Sequence, residues 1–380
     1  MRQGHGTNKK TMHPTTIVIN SEIFRNNLRA IRQSVGGKVK ICLPVKANAY
    51  GHGIEGISKL AEPFVDFLAV ACLKEGVSLK SIGIEKPILV LGAIDEEQIP
   101  GLIKNNFEIT ISSIYKAKLV SDLCHKMGMT CKVHIKVDTG MNRIGIKAKN
   151  APSLIDFVLS EKSLDLTGIY SHLAESENDD KSFTLSQIEI FRKTANYAKS
   201  KKADIICHLA NSGGLCYFPE SFFDMIRPGI LSYGYFPGEK IATAPLNQIN
   251  PCFTLKTKVV YFKAIEKGES VSYNRRYKAD GLTRIATLPI GYGDGYRRAM
   301  TNKGSALIRN GKYTIAGTVC MDMTMIDLGS NGTAYVGDEA VLIGKQNGKE
   351  ISVEEVAGIC DTNCYEILSS FNERIPRVYT

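Results

Sequence analysis

Eight apolar, β-type runs alternate with helix-like stretches as far as residue 226, and after about residue 245 the texture changes to short strands. These observations predict an α/β chain: an N-terminal (β/α)8 TIM-type barrel followed by a C-terminal β-rich domain. The runs are continuous rather than alternating, as expected of parallel strands covered on both faces. Eight β-α units in roughly 210 residues fit a closed barrel. A doubly wound sheet shares this pattern, and the pattern alone does not separate the two.

The elements follow in order. Residues 1–14 are polar and basic and are expected as a flexible tail. Ile17–Ile19 reads as a short strand, placed here in a barrel domain spanning residues 15–245. Asn20 or Ser21 can cap the next helix by accepting from an orphan amide of its first turn. Phe24, Leu28 and Ile31 mark that helix's apolar face. The eight runs are 39–45, 66–71, 87–91, 107–111, 131–137, 164–170, 204–208 and 222–226. The clearest intervening helix is 181–200, where Ile188, Phe191, Ala195 and Ala198 share a face. In the second domain, 246–380, strands are expected at 253–262, 269–273, 284–290, 305–309, 313–319 and 339–343. Asn310-Gly311 reads as a type I′ hairpin turn, and two short helices are expected near 352–359 and 363–371.

Composition narrows the function. No apolar run approaches the ~20 residues of a membrane span, so no membrane partner is expected. The net charge of +10 favours anionic ligands, but the positive charges are spread along the chain. No nucleic-acid module is visible, and no nucleic-acid partner is expected. Ten cysteines, several inside apolar runs (Cys42, Cys72, Cys131, Cys207), suit a reducing cytoplasm. No Cys-x-x-Cys pair or histidine ligand spacing occurs, so no metal is expected.

Barrels collect their chemistry at the C-terminal ends of the strands, and five strand ends here carry polar groups. Lys46 follows the first run within VKANAYGHG, residues 45–53. A lysine held at a strand tip beside a glycine-bearing loop can form a Schiff base with a carbonyl cofactor. Asp138 to Arg143 follow the fifth run, His172 the sixth, Asn211, Ser212 and Gly213 the seventh, and Arg227 to Ile230 the eighth. Glycine-bearing loops after the seventh and eighth strands are where barrels commonly seat a phosphate.

VKANAYGHG at 45–53 is joined by KVDTGMNRIG at 136–145, YSHLA at 170–174, LANSGG at 209–214 and MIRPGILSYG at 225–234. VSY at 271–273, PIGYGDGYRR at 289–298 and VCMD at 319–322 follow. In this order the chain resembles the alanine racemases, fold-type III pyridoxal phosphate enzymes, from Thr15 to Tyr379. The resemblance implies that Lys46 holds pyridoxal 5'-phosphate and acts as one acid/base, with Tyr273 from the second domain as the other. It implies that Tyr50, Ser212, Gly229 and Ile230 hold the phosphate, with Asn211 beside them. His172 would pack on the cofactor ring and Arg227 would face the pyridine nitrogen. Arg143 would donate to the cofactor's phenolic oxygen and help bind the substrate carboxylate, and Tyr292 and Met321 would line the substrate site. Lys136 matches a lysine that is carbamylated in many family members. The expected partners are a small amino-acid substrate and a second copy of the chain, in a homodimer with shared active sites. The expected role is supply of D-alanine for peptidoglycan in the cytoplasm.

Opposed bases explain the pairing, because racemisation removes the Cα proton from one face and returns one to the other. Lysine and tyrosine both have ordinary pKa values of about 10, which neighbouring cations must lower, with Arg227 and His172 as candidates. Two departures touch specificity. Asn274 stands where a glycine is usual, and Glu373 stands where some members place a phosphate-contacting tyrosine before Arg374-Ile375-Pro376-Arg377. The alternatives are a related racemase preferring serine or a basic amino acid, or a non-catalytic pyridoxal phosphate-binding barrel.

Overall fold

The structure, a computed structural model, describes residues 13–380; most of the expected flexible tail lies outside them. Two compact units emerge, residues 21–252 and residues 253–380 together with the segment before Ser21.

In the first unit eight strands close a parallel barrel. They are β2 (Lys40–Pro44), β3 (Phe67–Val70), β4 (Ile88–Val90), β5 (Glu108–Ile111), β6 (Cys131–Asp138), β7 (Leu164–Tyr170), β8 (Ile206–His208) and β9 (Met225–Ile226). Each pairs in parallel with the next, and β9 returns to β2 through Met225–Lys40 and Ile226–Ile41. That closure removes the doubly wound alternative, because an open sheet leaves two edges unpaired. All eight strands fall within the predicted runs, with β6 one residue longer at its end. Cys42, Phe67, Ala69, Leu89 and Met225 form a buried cluster from four strands. The helix Ser21–Val35 buries Phe24, Leu28 and Ile31, and the helix Ser182–Lys201 buries Ile188, Phe191, Ala195 and Ala198, the faces expected.

The second unit is β-rich. β1 (Thr16–Ile19) pairs antiparallel with β10 (Phe253–Lys258) and parallel with Arg377–Tyr379. This corrects the expected boundary: the strand before the first helix belongs to this sheet and not to the barrel unit. Residues 246–252 stay with the barrel unit, where Asn27 Nδ2 donates to the Asn250 carbonyl at 2.9 Å and the Asn250 amide donates to Asn27 Oδ1 at 3.0 Å. The predicted run 253–262 is two strands, since Tyr261–Ile265 pairs instead with Thr283–Leu288. The predicted hairpin forms one residue early. Ile308 pairs with Gly311, so the loop is Arg309-Asn310, and only Arg309 of the two has a positive φ, which excludes type I′. Gly311 serves for room instead, since a Cβ there would lie 2.2 Å from the Tyr313 ring. Helices Val353–Ile359 and Cys364–Ser370 start at Ser352 and Asn363 caps. Among the described residues no helix is long and apolar enough to cross a membrane.

Candidate active site

β2 ends at Pro44, Val45 donates its amide to the Ala69 carbonyl at 2.8 Å, and Lys46 follows at the strand tip. The backbone then turns the rare way. Ala47, Asn48, Ala49 and Tyr50 all have φ of 52–53°, a left-handed turn built without glycine. Such residues cost about 1–2 kcal/mol each in this region, so surrounding bonds must hold them. Glu75 supplies one, accepting from the Ala47 amide at 2.7 Å while its other oxygen accepts from the Ala71 amide at 2.8 Å. Asn48 supplies another, its Oδ1 accepting from the Ile54 amide at 2.7 Å. Gly51 and Gly53 close the turn through the Ala47 and Asn48 carbonyls.

The turn brings Tyr50 back over the barrel, its ring 5.0 Å from that of Tyr233, whose hydroxyl donates to the Pro44 carbonyl at 2.9 Å. Burial pushes the Tyr50 hydroxyl up to about 12, so it stays protonated and can donate. Beside it lies Gly229. A Cβ there would lie 2.7 Å from Tyr50 Oη and 3.9 Å from Ser212 Oγ. The missing side chain leaves a cradle with two hydroxyls converging on it. Ser212 Oγ also accepts from the Leu231 amide at 3.2 Å. Asn211 shapes this loop, with its Oδ1 accepting from the Gly214 amide at 2.9 Å and its Nδ2 donating to the Leu173 carbonyl. Hydroxyls, glycine space and an amine at one barrel mouth fit a phosphate-bearing aldehyde.

Burial and charge together pull both lysine amines below their ordinary values. Burial, followed by the Arg143 and Arg227 charges, pulls the Lys46 amine below the ordinary lysine value, with Glu75 opposing. Lys136, 5% exposed, is driven further down by burial and by the Arg227 and Arg143 charges, and its Nζ lies 4.4 Å from the centre of the Tyr170 ring. The loop carrying Arg143 is set by Asp138, whose Oδ1 accepts from the Gly140 and Asn142 amides at 3.0 Å each.

Arg227 is 3% exposed. Nη1 donates to His208 Nδ1 at 2.7 Å, and Nη2 donates to the Ser171 carbonyl at 2.6 Å and the Leu209 carbonyl at 3.0 Å. His172 Nδ1 is 3.4 Å from Nη2. Burial, then Arg227, Lys136, Arg143 and Lys46, holds His172 well below the usual imidazole value. One expectation is thereby corrected: His172 is neutral and supplies no cation to Lys46, because its own surroundings are buried and already positive. Arg143 takes that place beside Arg227.

In the second unit three expected residues share one neighbourhood. Thr318 Oγ1 donates to the Tyr273 carbonyl at 3.0 Å, and Ser272 Oγ donates to the Thr318 carbonyl at 2.6 Å. The Tyr292 amide donates to Cys320 and the Gly293 amide to Met321, at 3.0 and 2.8 Å. Residues 318–321 thus stitch together the loops bearing Tyr273, Tyr292 and Met321, whose side chains are 69%, 44% and 53% exposed. Asn274 has φ 60° and ψ 13°. That is the left-handed region asparagine tolerates. Glu373 is exposed, and its neighbour Arg374 pairs with Asp294 and Asp322.

The sequence reading assigned no role to Glu75, Tyr170, His208 or Tyr233. Tyr170 and His208 lie in or beside quoted motifs, so their placement was available. Glu75, 29 residues after Lys46, carried no signal.

Comparison with known proteins points the same way. The family description "Alanine racemase, N-terminal domain" matches residues 19–237, and "Alanine racemase, C-terminal domain" matches residues 252–379. An alanine racemase of Halothermothrix orenii is 38% identical over 376 residues, 98% of each chain. The solved alanine racemase of Clostridium difficile has a TM-score of 0.91 at 33% identity, covering 98% of this chain and 97% of that one. That of Bacillus anthracis, solved with bound L-Ala-P, has a TM-score of 0.90 at 31% identity, covering 97% of this chain and 95% of that one.

Proposed function

The chain belongs to the alanine racemase family, and on that premise we propose that it interconverts L- and D-alanine with pyridoxal 5'-phosphate held at Lys46. One observation carries the reading: burial and two arginine charges push the amine at the β2 tip toward its neutral form. A neutral amine is what both carbonyl capture and proton removal require. When bound, pyridoxal phosphate supplies the electron sink for the pair left on Cα.

The chain's own residues do the rest. Ser212 and Tyr50 hold the phosphate by hydroxyl donation, with Gly229 and Ile230 bringing backbone close and Asn211 fixing the loop. His172, kept neutral, packs on the ring. Arg143 reaches the phenolic oxygen and the substrate carboxylate, which Tyr292 and Met321 flank. Arg227 presents donors only, so a ring nitrogen facing it accepts rather than carries a proton, and the sink is kept weak. Lys46 exchanges the Cα proton on one face and Tyr273 on the other. The exposure of Tyr273 supports a site shared across a homodimer, with Tyr273 reaching the amine of the other subunit. Lys136, its amine pulled well below the ordinary lysine value by burial and by the Arg227 and Arg143 charges, suits carbamylation: the resulting anion would meet those cations. The product serves peptidoglycan synthesis in the cytoplasm.

Chiral chromatography of purified protein with added pyridoxal phosphate, on alanine, serine and lysine, tests the assignment. We expect alanine to give the highest kcat/KM. Serine or lysine ranking first would move the substrate assignment, and no turnover of any of the three would leave only a cofactor-binding barrel.

A further inference from the structure

A line of polar side chains runs through the barrel interior, where apolar layers are the norm. Arg227 Nη1 meets His208 Nδ1 at 2.7 Å, His208 Nε2 meets His134 Nδ1 at 2.9 Å, and His134 Nε2 meets Glu108 Oε2 at 2.7 Å. The four residues stand on or just after β9, β8, β6 and β5 and are 3%, 0%, 0% and 4% exposed. Among the described residues no carboxylate pairs directly with Arg227.

The proton direction along this line is forced. A guanidinium has donors and no acceptor, so His208 Nδ1 accepts. A neutral imidazole has one acceptor, so His208 carries its proton on Nε2 and donates to His134 Nδ1. His134 then carries its own proton on Nε2 and donates to Glu108. A doubly protonated His134 is excluded, because His208 would then face donors on both nitrogens. A Glu108 oxygen that accepts completes the line, and although burial opposes it, the hydrogen bonds from His134 and Thr167 hold the Glu108 carboxyl below its ordinary value. Thr167 Oγ1 donates to the same Glu108 oxygen at 2.9 Å. The fold makes room for the line: a Cβ on Gly168 of β7 would lie 2.3 Å from His134 Nδ1. Glycine inside a strand weakens it and marks a close approach, and here the approach is the His134 ring.

We propose that Glu108 is a positioning residue, the remote anion that, through His134 and His208 in their Nε2–H forms, fixes the orientation of Arg227 at the cofactor site. The reading of Arg227 as the ring-nitrogen partner rests on the proposed function. Without the carboxylate, His134 can take the reversed tautomer. His208 would then have to donate from Nδ1 towards Arg227, setting donor against donor and displacing the guanidinium. Glutamine at position 108 permits that reversal, since its amide can donate.

Nitrogen NMR of the full chain labelled at histidine reads the tautomers directly, with and without pyridoxal phosphate. The expected result is Nε2–H at both His134 and His208 in the unsubstituted protein and mixed tautomers in Glu108→Gln. Steady-state kinetics of Glu108→Gln should show kcat down about tenfold and KM for alanine within about twofold. An Nδ1–H tautomer at His208 in the unsubstituted protein overturns the proposal, and so does a Glu108→Gln enzyme whose kcat stays within about twofold of the parent. If Glu108→Gln does not fold, the parent tautomers decide. Protein that binds pyridoxal phosphate and racemises no amino acid, yet shows the Nε2–H pair, refutes the proposed function and leaves the relay standing.

Discussion

Two features meet at Lys46: an amine pulled below the ordinary lysine value, and a following backbone turn stiffened by left-handed residues. Lys46→Ala should lower racemisation by about 10²-fold or more, and chiral chromatography at saturating pyridoxal phosphate measures it. Activity near the parent level would remove Lys46 from the mechanism. Asn274 gives a second test. Its left-handed backbone predicts that Asn274→Gly changes stability by less than about 0.5 kcal/mol, whereas Asn274→Val costs about 1–2 kcal/mol. Urea unfolding decides, and equal stability of the two variants would count against the strain argument. Lys46 and its motif were legible from residues alone. The neutrality of His172 was not, because it depends on burial and on charges contributed by three other strand ends.

At the scale of elements, the loops following β8 and β9 and the turn following β2 form the cradle at Gly229 that is proposed to hold the phosphate. Gly229 has φ −68° and ψ −97°, outside the regions that favour a side chain, and a Cβ there would crowd Tyr50 Oη at 2.7 Å. Gly229→Ala should therefore weaken pyridoxal phosphate binding about tenfold, read by absorbance titration. Unchanged affinity would show that the cradle is not used. The Thr16–Ile19 strand gives a different lesson. Its sequence reads as a strand, but which sheet receives it depends on partners more than 230 residues away. Ile17 and Ile19 are fully buried. Pro at Val18, whose neighbours in the strand pair on both sides, should destabilise residues 253–380 before the barrel; hydrogen exchange resolved by segment would show this. Loss of protection in the barrel first would refute that placement.

For the whole molecule, acid stability reports the buried histidines. His172 and His208 are held neutral when folded but protonate freely when unfolded, below about pH 6.5. The unfolded chain then binds more protons, so stability is full above that pH and falls as pH drops, by up to about 1.4 kcal/mol per pH unit for each histidine. Melting temperatures between about pH 7 and 5 check this, and a flat profile would contradict the buried neutral imidazoles. What the sequence by itself determined was the order of strands and helices, the change of texture near residue 245, and the polar strand ends. These depend on local periodicity and on short motifs, which a single chain displays openly. Only the tertiary structure decided that the eight strands close, that Thr16–Ile19 leaves the barrel, and that Arg227 is tied through two imidazoles to Glu108. Closure and pairing are fixed by hydrogen bonds between segments distant in sequence. The charge states follow from burial, which no residue carries until the chain has folded around it. Lys46 was visible from the start, but what pulls its amine below the ordinary lysine value is burial first, and then charges 97 and 181 positions further along the chain, on Arg143 and Arg227.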